Sequence, residues 1–381
     1  MAILYLTEQQ AWVGREGECL IVHIPERDGD KRTSRERKMP VPLTKIEEVM
    51  VMGDITLTTP ALVALLEARI NISYLTRYGR YLGSLNPQLS KNSLLRLAQH
   101  EAHADLARRH SQARYFVVGK LQNMRTLLMR YNRAKPDPII SNQVESLKRC
   151  IGSAQNSRFQ RSSSEEKKLN PPELELDSEM ELDPEMELGE IETGRMNGLG
   201  PLLGSEGAGS AAYFGVFAQL IKCGWTHGFS KRVRRPPTDP VNAMLSYGYT
   251  ILTSQVASLV SGVGFDPYIG FLHSSRYGRP ALALDLMEEF RPLIVDSVVL
   301  TLLNNHQLEE ADFQQELNSY RMTDAARKIF LQKYEERMQE EITHPLFGYK
   351  VSYRRCIELQ ARLLSKHLLG EVSDYVPFVV R

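Results

Sequence analysis

The apolar pattern of this 381-residue chain changes period once, near Leu94, and that change divides the fold. Before it, short alternating stretches at 3–7, 11–15, 19–24, 38–43, 48–52, 71–76 and 80–85 are separated by turn residues such as Gly14 and Gly17. A period of two is what a strand with one buried face requires. Pro40 and Pro42 put the 38–43 strand at a sheet edge, because proline cannot donate to a ladder. Pro60, in a position where its missing N–H costs nothing, opens the one helix of this half at 61–69. These features predict a β-sandwich with one helix over 1–85, followed by a linker at 86–93.

Beyond Leu94 the period is about 3.6, the spacing of amphipathic helices. A long helical stretch over 94–131 is expected to break near 108–111, and Pro136 and Pro138 end it. Further helices are expected at 139–152, from Gly207, after the cap-and-proline pair Asp239-Pro240, and over 282–305, 322–341 and 353–368. The fold class is therefore α+β and multidomain. A β-sandwich precedes an all-α domain built from 94–154 and 196–373, with a loosely held tail at 374–381.

The stretch 155–195 belongs to neither half. Residues 173–192 hold ten acids and no Lys or Arg, and Leu176 to Glu181 is repeated almost unchanged as Leu182 to Glu187. Such a segment buries too little apolar surface to offset its ordering entropy, so a disordered insertion is expected. Removing its ten negative charges from a chain of net charge +1 leaves +11, which permits a polyanionic partner. No apolar run approaches the ~20 residues of a membrane span. The four cysteines stand singly, without the spacing of a disulfide framework or a zinc site, which suits a reducing cytoplasm.

Chemistry concentrates in 270–292. His273 lies twelve residues before Asp285, and Glu288 and Arg291 follow at helical spacing on the same face. Asp285 is set between Leu284 and Leu286, where a carboxylate needs a donor or a cation. Arg291 could supply a structural ion pair; a divalent metal shared with His273 could equally do so. Upstream, Glu206 stands in a run of Gly, Ser and Ala that lets a helix or a phosphate backbone approach closely. The basic segment 231–235 offers Arg232, Arg234 and Arg235 for phosphates, or for a solvated loop. His100 and His103 are three apart rather than the four of a zincin pattern, and read as a solvated face.

Five blocks carry a resemblance: Leu203 to Gly207, Arg235 to Tyr249, Gly264 to Pro267, Gly270 to His273, and Leu284 to Pro292. In order and spacing they resemble the motif series of the universal CRISPR adaptation integrase, the "Cas one" endonuclease family. The resemblance spans roughly 1–150 and 196–381, and the 155–194 insertion departs from it. It implies a sandwich that dimerises and a catalytic helical domain. It also implies that Glu206, His273 and Glu288 ligate Mg²⁺ or Mn²⁺, with Asp285 as an auxiliary catalytic acid. Arg232, Arg234, Arg235 and Arg291, and more weakly Asn242 and Tyr247, would line a DNA groove. The implied partners are double-stranded DNA (prespacer and repeat), a second copy of the chain, and a small second universal Cas protein that bridges two dimers in a prokaryotic cytoplasm. Two other readings share these residues: a stand-alone nuclease acting on branched DNA in repair, and a non-catalytic DNA-binding scaffold.

Overall fold

The computed structural model describes residues 2–28, 31–87, 92–134, 136–159, 198–225, 229–233 and 236–380. Eight strands open the chain: β1 (Ala2–Leu6), β2 (Trp12–Glu16), β3 (Cys19–Asp28), β4 (Lys31–Pro42), β5 (Ile46–Met52), β6 (Thr56–Leu57), β7 (Asn71–Leu75) and β8 (Tyr81–Leu85). They form two four-stranded sheets, ordered β1-β5-β7-β8 and β4-β3-β2-β6. One apolar core lies between them, with Leu6, Val49, Val51 and Ile72 from the first sheet and Val13, Leu20 and Val22 from the second. Helix α1 (Thr59–Glu67) adds Ala61 and Leu65 to it. The proline-bearing strand β4 does lie at an edge.

The first sheet is covered on both faces. Ile3, Met50, Met52 and Leu75 point away from the sandwich and join the core of the helical half. That is why β5 buries Val49, Met50, Val51 and Met52 consecutively, and why β1, β5 and β7 can run parallel. Polar ties cross the same junction: Gln255 Nε2 donates to Tyr5 Oη at 2.9 Å, and Lys328 Nζ to Glu8 at 2.6 Å.

The helical half contains α2 (Ser93–Ala104), α3 (Leu106–Ala134), α4 (Pro138–Asn156), α5 (Gly200–Gly215), α6 (Pro240–Val263), α7 (Ala281–Met287), α8 (Ser297–Asn304), α9 (Asp324–Gln339) and α10 (Tyr353–Leu368). It is mostly, not wholly, helical. Two hairpins interrupt it, β9 (Phe313–Glu316) with β10 (Ser319–Met322), and β11 (Glu341–Thr343) with β12 (Lys350–Ser352). The break in the first long helix falls at Asp105 rather than 108–111, because its carboxylate accepts from the Ala107 and Arg108 backbone N–H groups and starts a new helix. The expected 282–305 helix is also divided. Pro292 cannot donate its backbone bond, and a π-helical turn, Pro292–Asp296, separates α7 from α8.

The tail is not loose. Tyr375 and Phe378 are about 1% exposed, and Phe378 stacks on Phe290 with centroids 4.8 Å apart. Glu289 fixes it by accepting from Tyr375 Oη and Phe378 N, both at 2.7 Å. Aromatic spacing within a short C-terminal segment carries no helix or strand period, so the sequence pattern did not reveal this anchor. Most of the acidic insertion, and Arg234 and Arg235, lie outside the described residues.

Candidate active site

Four pieces of chain meet beside the middle of α3: α5 with Glu206, the 264–280 loop with His273, the end of α7 with Asp285 and Glu288, and α3 itself with Lys120. Packing explains how they come so close. A Cβ on Gly209 of α5 would collide with the Leu121 side chain of α3, and one on Gly119 would stand 2.9 Å from Glu289 and Pro377. Gly204 and Gly207 meet nothing within 4 Å, so the small-residue run around Glu206 packs on one side and stays open on the other.

Asp285 is the hub of the His273 loop. It is fully buried and accepts backbone N–H bonds from Phe271 (2.5 Å), Leu272 (3.0 Å) and His273 (2.9 Å). Its Oδ1 also lies 2.7 Å from His273 Nδ1. A carboxylate already accepting from three N–H groups can only accept again, so Nδ1 carries a proton and Nε2 is the ring nitrogen left to face the site. Gly270 permits the loop to sit there, since a Cβ would lie 2.8 Å from Asp285 Oδ2 and from the Ala281 backbone. The far side of the loop is tied to α2 and α3. Gln99 Nε2 donates to the Asp266 and Ile269 carbonyls, His103 Nδ1 to Gly270 O at 2.6 Å, and Arg109 Nε to Phe271 O at 3.0 Å. His103 is thus a loop support rather than part of a solvated face; burial holds its imidazole below the ordinary value.

His273 Nε2 turns towards Glu288 Oε1, 3.9 Å away, which is too long for a hydrogen bond. Glu288 is 2% exposed and pairs with Arg291 Nη1 at 2.9 Å and Lys120 Nζ at 2.8 Å. The same Lys120 ammonium contacts Glu206 Oε1, which also accepts from Ser210 Oγ at 3.0 Å. Burial alone would push both carboxyls up. The cations prevail, with Arg291 and Lys120 taking Glu288 down to about 2, and Lys120 holding Glu206 below its usual value.

Behind Glu288 lies a second polar layer. Arg291 and Arg232 flank the Tyr249 ring, at 4.6 and 5.5 Å from its centroid. Tyr249 and Tyr213 both donate to Asp296, whose carboxyl burial pushes up to about 6 against those bonds. Arg232 donates to Asn242 Oδ1 (2.8 Å) and Ser246 Oγ (2.9 Å).

Two residues expected in a DNA groove are not placed for it. Asn242 is fully buried and its amide clamps the basic loop, accepting from Val233 N and donating to Lys231 O and Asp239. Tyr247 is 6% exposed, packed edge-on to Phe330 with its hydroxyl towards Met52 Sδ. Both lie on the inward face of α6, where an apolar helix stripe and an N-terminal cap claim them. The sequence reading also missed Lys120. The available signal was a lone cation on the buried stripe of α3, between Phe116, Val117, Leu121 and Met124.

Among the described residues, no three His, Cys, Asp or Glu side chains stand close enough to ligate a metal as they lie. The space between the Glu206 and Glu288 carboxylates holds the Lys120 ammonium instead. Two carboxylates around a positive charge, with an imidazole Nε2 facing one of them, are a donor set that fits a hard or borderline divalent cation.

Comparison with known proteins settles the family. The family described as "CRISPR associated protein Cas1" matches residues 4–336. The chain belongs to the Cas1 family. It is 35% identical to CRISPR-associated endonuclease Cas1 3 of Thermus thermophilus, over 100% of this chain and 98% of that protein. It is 36% identical to a Cas4 exonuclease/Cas1 endonuclease fusion of Geobacter sulfurreducens, covering 99% of this chain but only 60% of the fusion. Its fold is similar to a casposase solved bound to its integration product, with a TM-score of 0.74 at 22% identity, over 98% of this chain and 92% of the other. The relatives it matches over nearly their whole length are named CRISPR-associated endonucleases. Among the described residues, no helix is long and apolar enough to cross a membrane.

Proposed function

We propose that this member of the Cas1 family inserts prespacer DNA into a repeat array by metal-dependent transesterification, with Glu206, His273 and Glu288 as the ligands of one Mg²⁺ or Mn²⁺. The observation that carries the reading is the convergence of Glu206 and Glu288 on a single positive charge, with His273 Nε2 turned towards Glu288. When bound, a divalent ion would neutralise charge building on the scissile phosphate. Asp285 presents the imidazole in one tautomer and one orientation, so its role is positioning rather than ligation. Arg291, paired with Glu288 and stacked on Tyr249, and Arg232 on the same ring set positive charge along one wall of the site. With a DNA 3′-hydroxyl as nucleophile, its oxygen bonds to phosphorus while the strand's own 3′ oxygen leaves; with water, the same exchange is cleavage.

Two strands must be joined, so the reading includes a homodimer formed through the sandwich domain and a small second Cas protein bridging two such dimers. Arg234 and Arg235 would extend the phosphate contacts. The test is a strand-transfer assay with prespacer and repeat DNA, with and without the small partner. Product should require Mg²⁺ or Mn²⁺ and fall by about 10²–10³-fold in Glu206→Ala, His273→Ala and Glu288→Ala. Cleavage of branched DNA with no joining under any condition would favour the stand-alone nuclease. Activity surviving all three substitutions would leave a DNA-binding scaffold.

A further inference from the structure

Lys120 is 3% exposed, on a helix stripe otherwise given to Phe116, Val117, Leu121 and Met124. It cannot serve as a surface contact for phosphate, because its charge is spent inward. Its one ammonium touches Glu206 and stands 2.8 Å from Glu288. Those are two of the three side chains that the proposed function assigns to the metal. We propose that Lys120 is the resident counter-cation of this site. Its ammonium bridges the two carboxylates while no divalent ion is bound, keeps them converged, and is displaced when the ion enters.

Three observations support this assignment, which rests on the metal-site reading above. Two carboxylates that share one ammonium, Glu288 buried and Glu206 half-buried, repel one another unless a cation lies between them, and Lys120 supplies that cation. The backbone is shaped to deliver it: Gly119, the residue before, lets α3 approach Glu289 and Pro377 to a distance that any Cβ would obstruct. Moreover, a divalent ion can bridge the same two carboxylates with more charge than one ammonium and can also use the His273 nitrogen, with Arg291 still paired to Glu288. The exchange is therefore favourable but not free, and the metal affinity carries the cost of moving a buried lysine. Lys120 is in this account a positioning residue, acting through the ligands rather than on the DNA.

The test uses the full chain without DNA, so that its readout is independent of catalysis. Lys120→Met and Lys120→Gln are compared with wild type and with Glu288→Gln, by thermal unfolding and by calorimetric Mn²⁺ titration. In chelator, both Lys120 variants should melt below wild type. Mn²⁺ should then raise their melting temperatures by more than it raises that of wild type, and bind them roughly tenfold more tightly. A variant that fails to fold in chelator but folds in saturating Mn²⁺ supports the same conclusion, because one cation is replacing another. If the variants bind Mn²⁺ no more tightly than wild type, or stay unfolded at saturating Mn²⁺, Lys120 is a structural lysine and the proposal is overturned. Mn²⁺ uptake by wild type that is lost in Glu288→Gln keeps the metal site even then. No uptake by wild type or by either Lys120 variant removes both readings together.

Discussion

Two buried glutamates, one in each half of the molecule, meet opposite fates. Glu48 lies on β5 and accepts from the Ser73 hydroxyl at 2.9 Å, and burial pushes its carboxyl up to about 8. Glu288 is as deeply buried, yet Arg291 and Lys120 beside it take it down to about 2. Glu48 lies on the β5 face that carries Met50 and Met52 towards the helical half, and there its carboxyl is pushed towards the neutral form. In the helical half Glu206 and Glu288 are held down by cations, whereas Glu289, just after Glu288 and bonded only to neutral donors, is pushed up to about 8 like Glu48. Burial is thus not what marks the site; the convergence of charged partners from α3, α5 and α7 is.

The first way to break this comparison is to remove the hub. Asp285→Ala strands three buried N–H groups and the His273 imidazole, and should cost about 3–5 kcal/mol of stability, read by chemical denaturation. Metal affinity should fall by roughly 10–100-fold, the usual effect of losing the partner that orients a ligating histidine. The mirror experiment in the sheet half is Leu20→Ala, which opens a cavity in a dry core. It should cost about 2–5 kcal/mol while leaving the Mn²⁺ dissociation constant where it was. Equal loss of metal affinity in both would erase the distinction between the halves.

A smaller effect is expected from Gly270→Ala. The added methyl must displace Asp285 or the Ala281 backbone, for about 1–3 kcal/mol, and should lower strand-transfer activity more than stability predicts. At pH 4.5 the smallest effect is that of Glu48→Gln. A carboxyl whose folded value is raised to about 8 from 4.5 contributes fully below 4.5 and loses that contribution as pH rises towards 8. The variant should match wild type near pH 4.5 and gain on it as pH rises, by about 1.4 kcal/mol per unit and so by up to about 4 kcal/mol near pH 8, seen as a widening gap in melting temperature. A gap that narrows with pH would contradict the buried, uncompensated state of Glu48.

The two halves also differed in how far their sequences could be read. Strand alternation and the prolines of β4 were sufficient for the sandwich, because one-sided burial and missing donors leave local marks. In the helical half, Glu206, His273, Asp285 and Glu288 were visible as charges in apolar or small-residue settings. What stayed hidden depends on contacts across the chain. The Lys120 pairing joins α3 to residues 86 and 168 positions later. The Glu289 latch on the tail, the Gln99 and His103 props and the buried roles of Asn242 and Tyr247 arise the same way, from packing that leaves no local period. The family resemblance put Asn242 and Tyr247 in a groove, but helix α6 turns that face inward.

The central claim is that Glu206, His273 and Glu288 share one cation. Electron spin-echo spectroscopy of Mn²⁺ bound to the full chain reads this directly, through the coupling of the ion to a ligating imidazole nitrogen. The account predicts one such nitrogen in wild type, lost in His273→Gln, with Mn²⁺ binding itself abolished in Glu206→Gln/Glu288→Gln. A Mn²⁺ signal without nitrogen coupling, or with coupling that survives His273→Gln, would place the ion elsewhere and contradict the site.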